Sequence, residues 1–110
     1  MILYLEGVDC GWTAQNQPSE SALKNAQTLL YILRHLGHPP SSADRGYFPS
    51  VRLFWNGGTT ELEVHDTTAE AFYFPGAPNQ STWTVEKFFL DSPEDKEKLI
   101  QKVVENIKKG

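Results

Sequence analysis

Ala22, Leu23, Ala26, Leu29, Leu30, Leu33 and Leu36 recur at three- and four-residue steps, the period of a helix that buries one face. Ser19 stands where a side-chain oxygen caps the first free amides. Gly37, followed by Pro39 and Pro40, ends the run, so the pattern predicts a helix over 20–36. Residues 39–49 are rich in Pro, Ser, Gly and charge and read as a loop. Beyond them the period changes to two. Val51, Leu53 and Trp55 alternate with Arg52 and Phe54, and Leu62 and Val64 alternate with Glu61, Glu63 and His65. Asn56-Gly57-Gly58 between them accepts the positive φ of a tight turn, which predicts a β-hairpin.

Asp66-Thr67-Thr68 signals the next turn and 69–74 a third strand, broken off by Pro75, Gly76 and Pro78. Residues 82–90, dense in β-branched and aromatic side chains, predict a fourth strand. Its alternation slips between Val85 and Phe88, the mark of a bulge or a shorter strand. Ser92 then caps a last helix, with Pro93 in its first turn and Glu94 and Asp95 at the positive end of its dipole. Leu99, Ile100, Val103, Val104 and Ile107 form the apolar stripe, and Lys108 and Lys109 meet the negative end. The expected architecture is α+β: a two-layer sandwich in which a four-stranded antiparallel meander carries a preceding and a C-terminal helix on one face. It forms a single domain over 1–110, with no internal repeat.

Composition narrows the function classes. A chain of 110 residues is long enough to bury one core without disulfides and leaves no room for a second domain. The formal charge of −4 disfavours nucleic acid as a partner. Cys10 is the only cysteine, so no internal disulfide forms, and a reducing, cytoplasmic setting is the simpler expectation. The apolar stretch 2–5 has no basic residue before it and Glu6 and Asp9 after it, unlike a secretory signal. No apolar run approaches the roughly 20 residues of a membrane span. Asn79-Gln80-Ser81 matches a glycosylation acceptor only in its letters, since a cytoplasmic chain never meets the machinery.

The candidate chemistry is sparse. His35 and His38 have His-x-x-His spacing, but Gly37 and Pro39 end the helix between them. Further ligands from Cys10, His65 or Asp66 follow no recognised zinc spacing, so neither a metal nor a cofactor is expected. His65-Asp66 beside Glu61 and Glu63 invites a general acid/base reading, although alternation makes these residues the wet face of a strand. No flanking signature activates Cys10 as a nucleophile. Without a phosphate loop, a Cys-x-x-Cys pair or a Gly-x-Ser-x-Gly elbow, a binding protein is favoured over an enzyme. The alternative is a small metal-dependent hydrolase using His65, Asp66 and the nearby carboxylates.

The second face of the sheet is more informative. Parity gathers Arg52, Phe54, Glu61, Glu63, His65, Phe72 and Phe74 there, and aromatics interleaved with charge have the make-up of a protein interface. Two glutamates beside a single arginine oppose a nucleic-acid stacking platform. Weak homodimerisation through an exposed sheet edge is a third reading.

Gly11-Trp12, Pro18, the Ala/Leu helix over 22–36, Pro49-Ser50-Val51, Gly57-Gly58 and Leu62-Glu63 together resemble a loosely defined group of small bacterial and prophage proteins. Some of that group are encoded near toxin–antitoxin or phage-defence genes. The likeness covers residues 11–74, and Thr13-Ala14 departs from the Asp-Gly that follows the Trp in the group. The resemblance implies no catalytic residue. It adds to the reading that the second sheet face and the missing catalytic motifs favour: a non-enzymatic antitoxin-, immunity- or phage-inhibitor-like domain that neutralises a larger protein partner.

Overall fold

A computed structural model describes residues 4–75 and 83–110. Ile2, the Gly76 and Pro78 break, the Asn79-Gln80-Ser81 tripeptide and Thr82 lie outside the described residues. The first helix, α1 (Glu20–His35), starts where Ser19 Oγ accepts a hydrogen bond from the Ala22 amide at 3.1 Å. It stops at a Gly37 held at φ 87°, a conformation that glycine adopts without a Cβ clash. Leu36 was expected in the buried stripe. Being the cap residue past the last turn, it is exposed instead.

The sheet has five antiparallel strands in sequence order, not four: β1 (Ser42–Arg45), β2 (Val51–Trp55), β3 (Thr60–Val64), β4 (Thr68–Tyr73) and β5 (Thr84–Phe89). The additional strand lies in the stretch read as a 39–49 loop. β1 pairs with β2 from Ser42↔Phe54 to Arg45↔Val51. Its outer edge is met by the N-terminal segment, where Ala43 N donates to Asp9 O and Gly11 N donates to Ala43 O, each at 2.9 Å. Main-chain bonds on both sides hold the strand, and Ala43 is its one buried hydrophobic residue. That is why period-two patterning did not reveal it. The β2–β3 hairpin turns through a short 3-10 segment, Asn56–Gly58, in which all three residues have positive φ (53°, 67° and 97°).

β5 is shorter than predicted and carries no bulge. It runs in unbroken register with β4 from Thr68↔Phe89 to Tyr73↔Thr84. Its apolar positions belong to both faces, Phe88 to the core and Val85 and Phe89 to the other side, and this produced the apparent slip. The second helix, α2 (Pro93–Lys109), is capped by Ser92, whose Oγ accepts from Asp95 N at 3.2 Å. Leu99, Val103 and Asn106 are its buried positions, while Ile100, Val104 and Ile107 are only partly covered. Ile100 and Val104 border a shallow groove between the helices, together with Leu36.

Both helices cover the same face, α1 against β2 and β3 and α2 against β3, β4 and β5. Leu53, Leu62 and Ala71 form one cross-strand row of the core, and Val51, Val64 and Ala69 form the next. The opposite sheet face carries no helix among the described residues. No described helix is long and apolar enough to cross a membrane.

Candidate binding surface on the open sheet face

Strand register decides which side chains meet on the open face. One row runs Ser42–Phe54–Glu61–Phe72–Val85 and the next runs Asp44–Arg52–Glu63–Glu70–Lys87, each crossing all five strands. All seven residues read from sequence as a surface lie on or beside these rows. Phe74 continues the parity of Phe72 just past β4, and His65 follows β3 with its Nε2 beside Glu70 and Glu63.

The aromatic half of the face is a stacked group. The Phe72 and Phe74 rings lie parallel at 6.0 Å, and Trp83 stacks over both at 5.9 Å. Trp83, Val85 and Phe89 are largely exposed. Phe72, Phe74 and Trp83 thus form an aromatic group with Val85 beside Phe72, while Phe89 lies at the far end of β5 beyond Lys87.

The Arg52 guanidinium holds Glu61 through two parallel bonds, Nε to Oε2 at 3.0 Å and Nη2 to Oε1 at 3.1 Å. Glu61 is buried beside it, and the hydrogen bond to Glu61 pushes the already basic Arg52 guanidinium further up. Arg52 Cζ also sits 5.0 Å from the Phe54 ring centroid, a cation–π contact that fixes the guanidinium plane. Charge and aromatic surface are therefore joined at Phe54.

At the other end, Ser50 Oγ donates to Glu63 Oε2 at 2.7 Å. A Cβ at Gly46 would collide with both Ser50 Oγ and the Glu63 carboxylate, so the turn between β1 and β2 leaves room for this carboxylate only because position 46 is glycine. His65 Nε2 lies 3.2 Å from Glu70 Oε1 and 3.9 Å from Glu63 Oε2. One donor atom from each of Glu63, His65 and Glu70 falls within 4.8 Å of the other two.

The remaining candidates are dispersed. Asp66 Oδ1 accepts from Ser19 Oγ at 2.5 Å, and Asn25 Nδ2 donates to the Asp66 and His65 carbonyls at 2.7 and 3.2 Å, so this turn anchors the start of α1. The His38 carbonyl accepts from Trp55 Nε1 at 3.0 Å, and His35 is exposed in the last turn of α1. Among the described residues, neither histidine joins a three-ligand group, nor does Cys10. Burial pushes the Cys10 thiol up from the ordinary 9.0, with Asp9 adding to the effect and a main-chain hydrogen bond to Leu5 opposing it. A raised thiol pKa leaves less thiolate near neutrality, the opposite of nucleophile activation. Alkylation of Cys10 by iodoacetamide at pH 8 is accordingly expected to be slower than that of a free cysteine peptide. An equal or faster rate would refute it.

Sequence reading missed Trp83, Val85, Phe89, Glu70 and Ser50. Glu70 shares its parity with Phe72 and Phe74, and residues 83, 85 and 89 alternate correctly once β5 is drawn without a bulge. The proximity of Ser50 to Glu63 depends on the unrecognised strand β1. In comparisons with known proteins, no family model, curated protein or solved structure matches this chain.

Proposed function

We propose that this domain is a non-enzymatic protein binder that inhibits or neutralises a larger partner, in the manner of an antitoxin, an immunity protein or a phage-encoded inhibitor. The observation that carries the reading is the aromatic group of Phe72, Phe74 and Trp83 on the open face, rimmed by the Arg52–Glu61 pair. Binding hot spots use this chemistry: rigid aromatics and an arginine at the centre, with charge around them. A sheet held in register on every strand loses little conformational freedom when a partner settles on it. A single half-buried thiol suits a reducing, cytoplasmic setting for such a partner.

The metal-dependent hydrolase reading draws less support from its own residues. Glu61 is occupied by Arg52, and Asp66 by Ser19. Homodimerisation through β5 is opposed by Glu86 and Lys87, charges in the middle of that edge strand.

Size-exclusion chromatography of the purified protein mixed with proteins encoded by neighbouring genes tests the proposal. Co-elution with one of them is expected, weakened at least tenfold (about 1.4 kcal/mol) by Phe72→Ala and by Trp83→Ala. Wild-type affinity in both variants would remove the open face from the interaction.

A further inference from the structure

We infer that Glu63, His65 and Glu70 form a binding site for a divalent first-row transition-metal ion of the zinc type. The argument begins with the charge row across the open face, which reads Asp44, Arg52, Glu63, Glu70, Lys87. Opposite charges face each other at every step except Glu63↔Glu70, where two carboxylates stand directly across adjacent strands. Like charges in that position destabilise a sheet unless a cation lies between them.

Arg52 attracts Glu63 electrostatically from the facing strand, but its hydrogen bonds go to another carboxylate. Arg52 gives two hydrogen bonds to Glu61, and Lys87 Nζ lies 5.9 Å from the Phe89 ring centroid. What stands between the carboxylates is the imidazole of His65, at 3.2 Å from one and 3.9 Å from the other. One nitrogen and two carboxylate oxygens make a donor set suited to zinc, manganese or ferrous iron, and too soft in its imidazole for calcium or magnesium.

Bonds of about 2.0–2.2 Å to a shared ion place ligand atoms roughly 3.5 Å apart, and the three donor atoms already lie within 4.8 Å of one another. Glu63 is already oriented by Ser50, whose hydroxyl occupies the role that outer hydrogen bonds play around metal ligands, in the space that Gly46 leaves open. All three ligands are partly buried, which limits competition from water without sealing the site. A small cavity of about 90 Å³, lined by Phe48, Pro49, His65 and Asp66, touches His65 from the side of the turn. The ion and the protein partner are independent, and either can be found without the other.

Equilibrium dialysis of the EDTA-stripped full-length protein against micromolar Zn²⁺ reads the site directly. The expected result is one zinc per chain, with Ser50→Ala weakening binding about tenfold and Glu70→Gln or His65→Ala weakening it about a hundredfold or more. His35→Ala, at the exposed end of α1, is expected to bind as the wild type does. Co²⁺ in place of Zn²⁺ is expected to give the intense visible absorption of a four-coordinate ion, lost in Glu70→Gln. That variant nearly preserves side-chain shape, and its far-UV circular dichroism separates lost ligation from lost folding even where His65→Ala does not fold. No zinc uptake by the wild type overturns the proposal. So does uptake unchanged in Glu70→Gln and His65→Ala, or uptake lost equally in His35→Ala.

Discussion

Leu62→Ala is expected to lower the unfolding free energy by about 2–5 kcal/mol. Leu62 is fully buried at the centre of β3, a strand against which both helices pack, between Leu53 on one neighbour and Ala71 on the other. Ala71 is too small to fill the space that truncation would leave. The strands on either side are fixed by their ladders, so the sheet cannot close on the cavity. Against a total stability on the order of 5–15 kcal/mol, the loss is a large share. In urea titration the midpoint is expected to fall while the slope stays constant, since the surface exposed on unfolding hardly changes. A loss below about 1 kcal/mol would mean that the helix layer relaxes onto the sheet, contrary to a rigidly packed interface.

The elements that were legible in the sequence are those whose own side chains meet the core. α1 announces itself because Ala22, Leu23, Ala26, Leu29, Leu30 and Leu33 are all buried and Ser19 and Gly37 mark its ends. β2 and β3 are legible because Val51, Leu53, Trp55, Leu62 and Val64 are apolar at alternate positions and the turn between the strands needs three positive φ values. β1 was hidden for the converse reason. It is held by main-chain bonds to β2 and to the N-terminal segment, and periodicity does not record main-chain bonds. β5 was blurred because Val85 and Phe89 are apolar on the face that faces outward.

The same distinction governs the open face. Phe54, Phe72 and Phe74 were found by parity, since a strand displays alternate residues on one side whatever lies beyond it. The relations between strands were out of reach. That Arg52 spends its hydrogen bonds on Glu61, although Glu63 is its direct cross-strand neighbour, depends on side-chain geometry. That Glu70 joins Glu63 and His65 depends on the β3–β4 register, and that Ser50 steadies Glu63 depends on a turn closed by β1. Asp66, adjacent to His65 in sequence, is drawn the other way, to Ser19 at the start of α1. Sequence adjacency suggested a His65–Asp66 pair, whereas strand pairing produces a His65–Glu70 one.

Asn106→Leu is expected to raise stability by about 1–3 kcal/mol. Asn106 is fully buried in α2, in line with Leu99 and Val103, and among the described residues neither its Nδ2 nor its Oδ1 has a hydrogen-bond partner. A buried amide stripped of water without a partner costs about that much, and an aliphatic side chain there removes the penalty and extends the apolar stripe. The stripe read from sequence passed over this position because Ile107 is apolar. On the helix, however, it is residue 106 that points between the layers while Ile107 lies at the margin. Thr60→Val, which removes a buried hydroxyl that has no hydrogen-bond partner among the described residues while keeping the side-chain shape, is expected to act in the same direction. Thermal unfolding of both variants checks the prediction, an increase of several degrees being the expected sign for a domain of this size. A fall in melting temperature for Asn106→Leu, with Thr60→Val unchanged, would show that the leucine overpacks the layer and that the cost of the lone amide is smaller than the cost of fitting the bulkier, tetrahedral side chain.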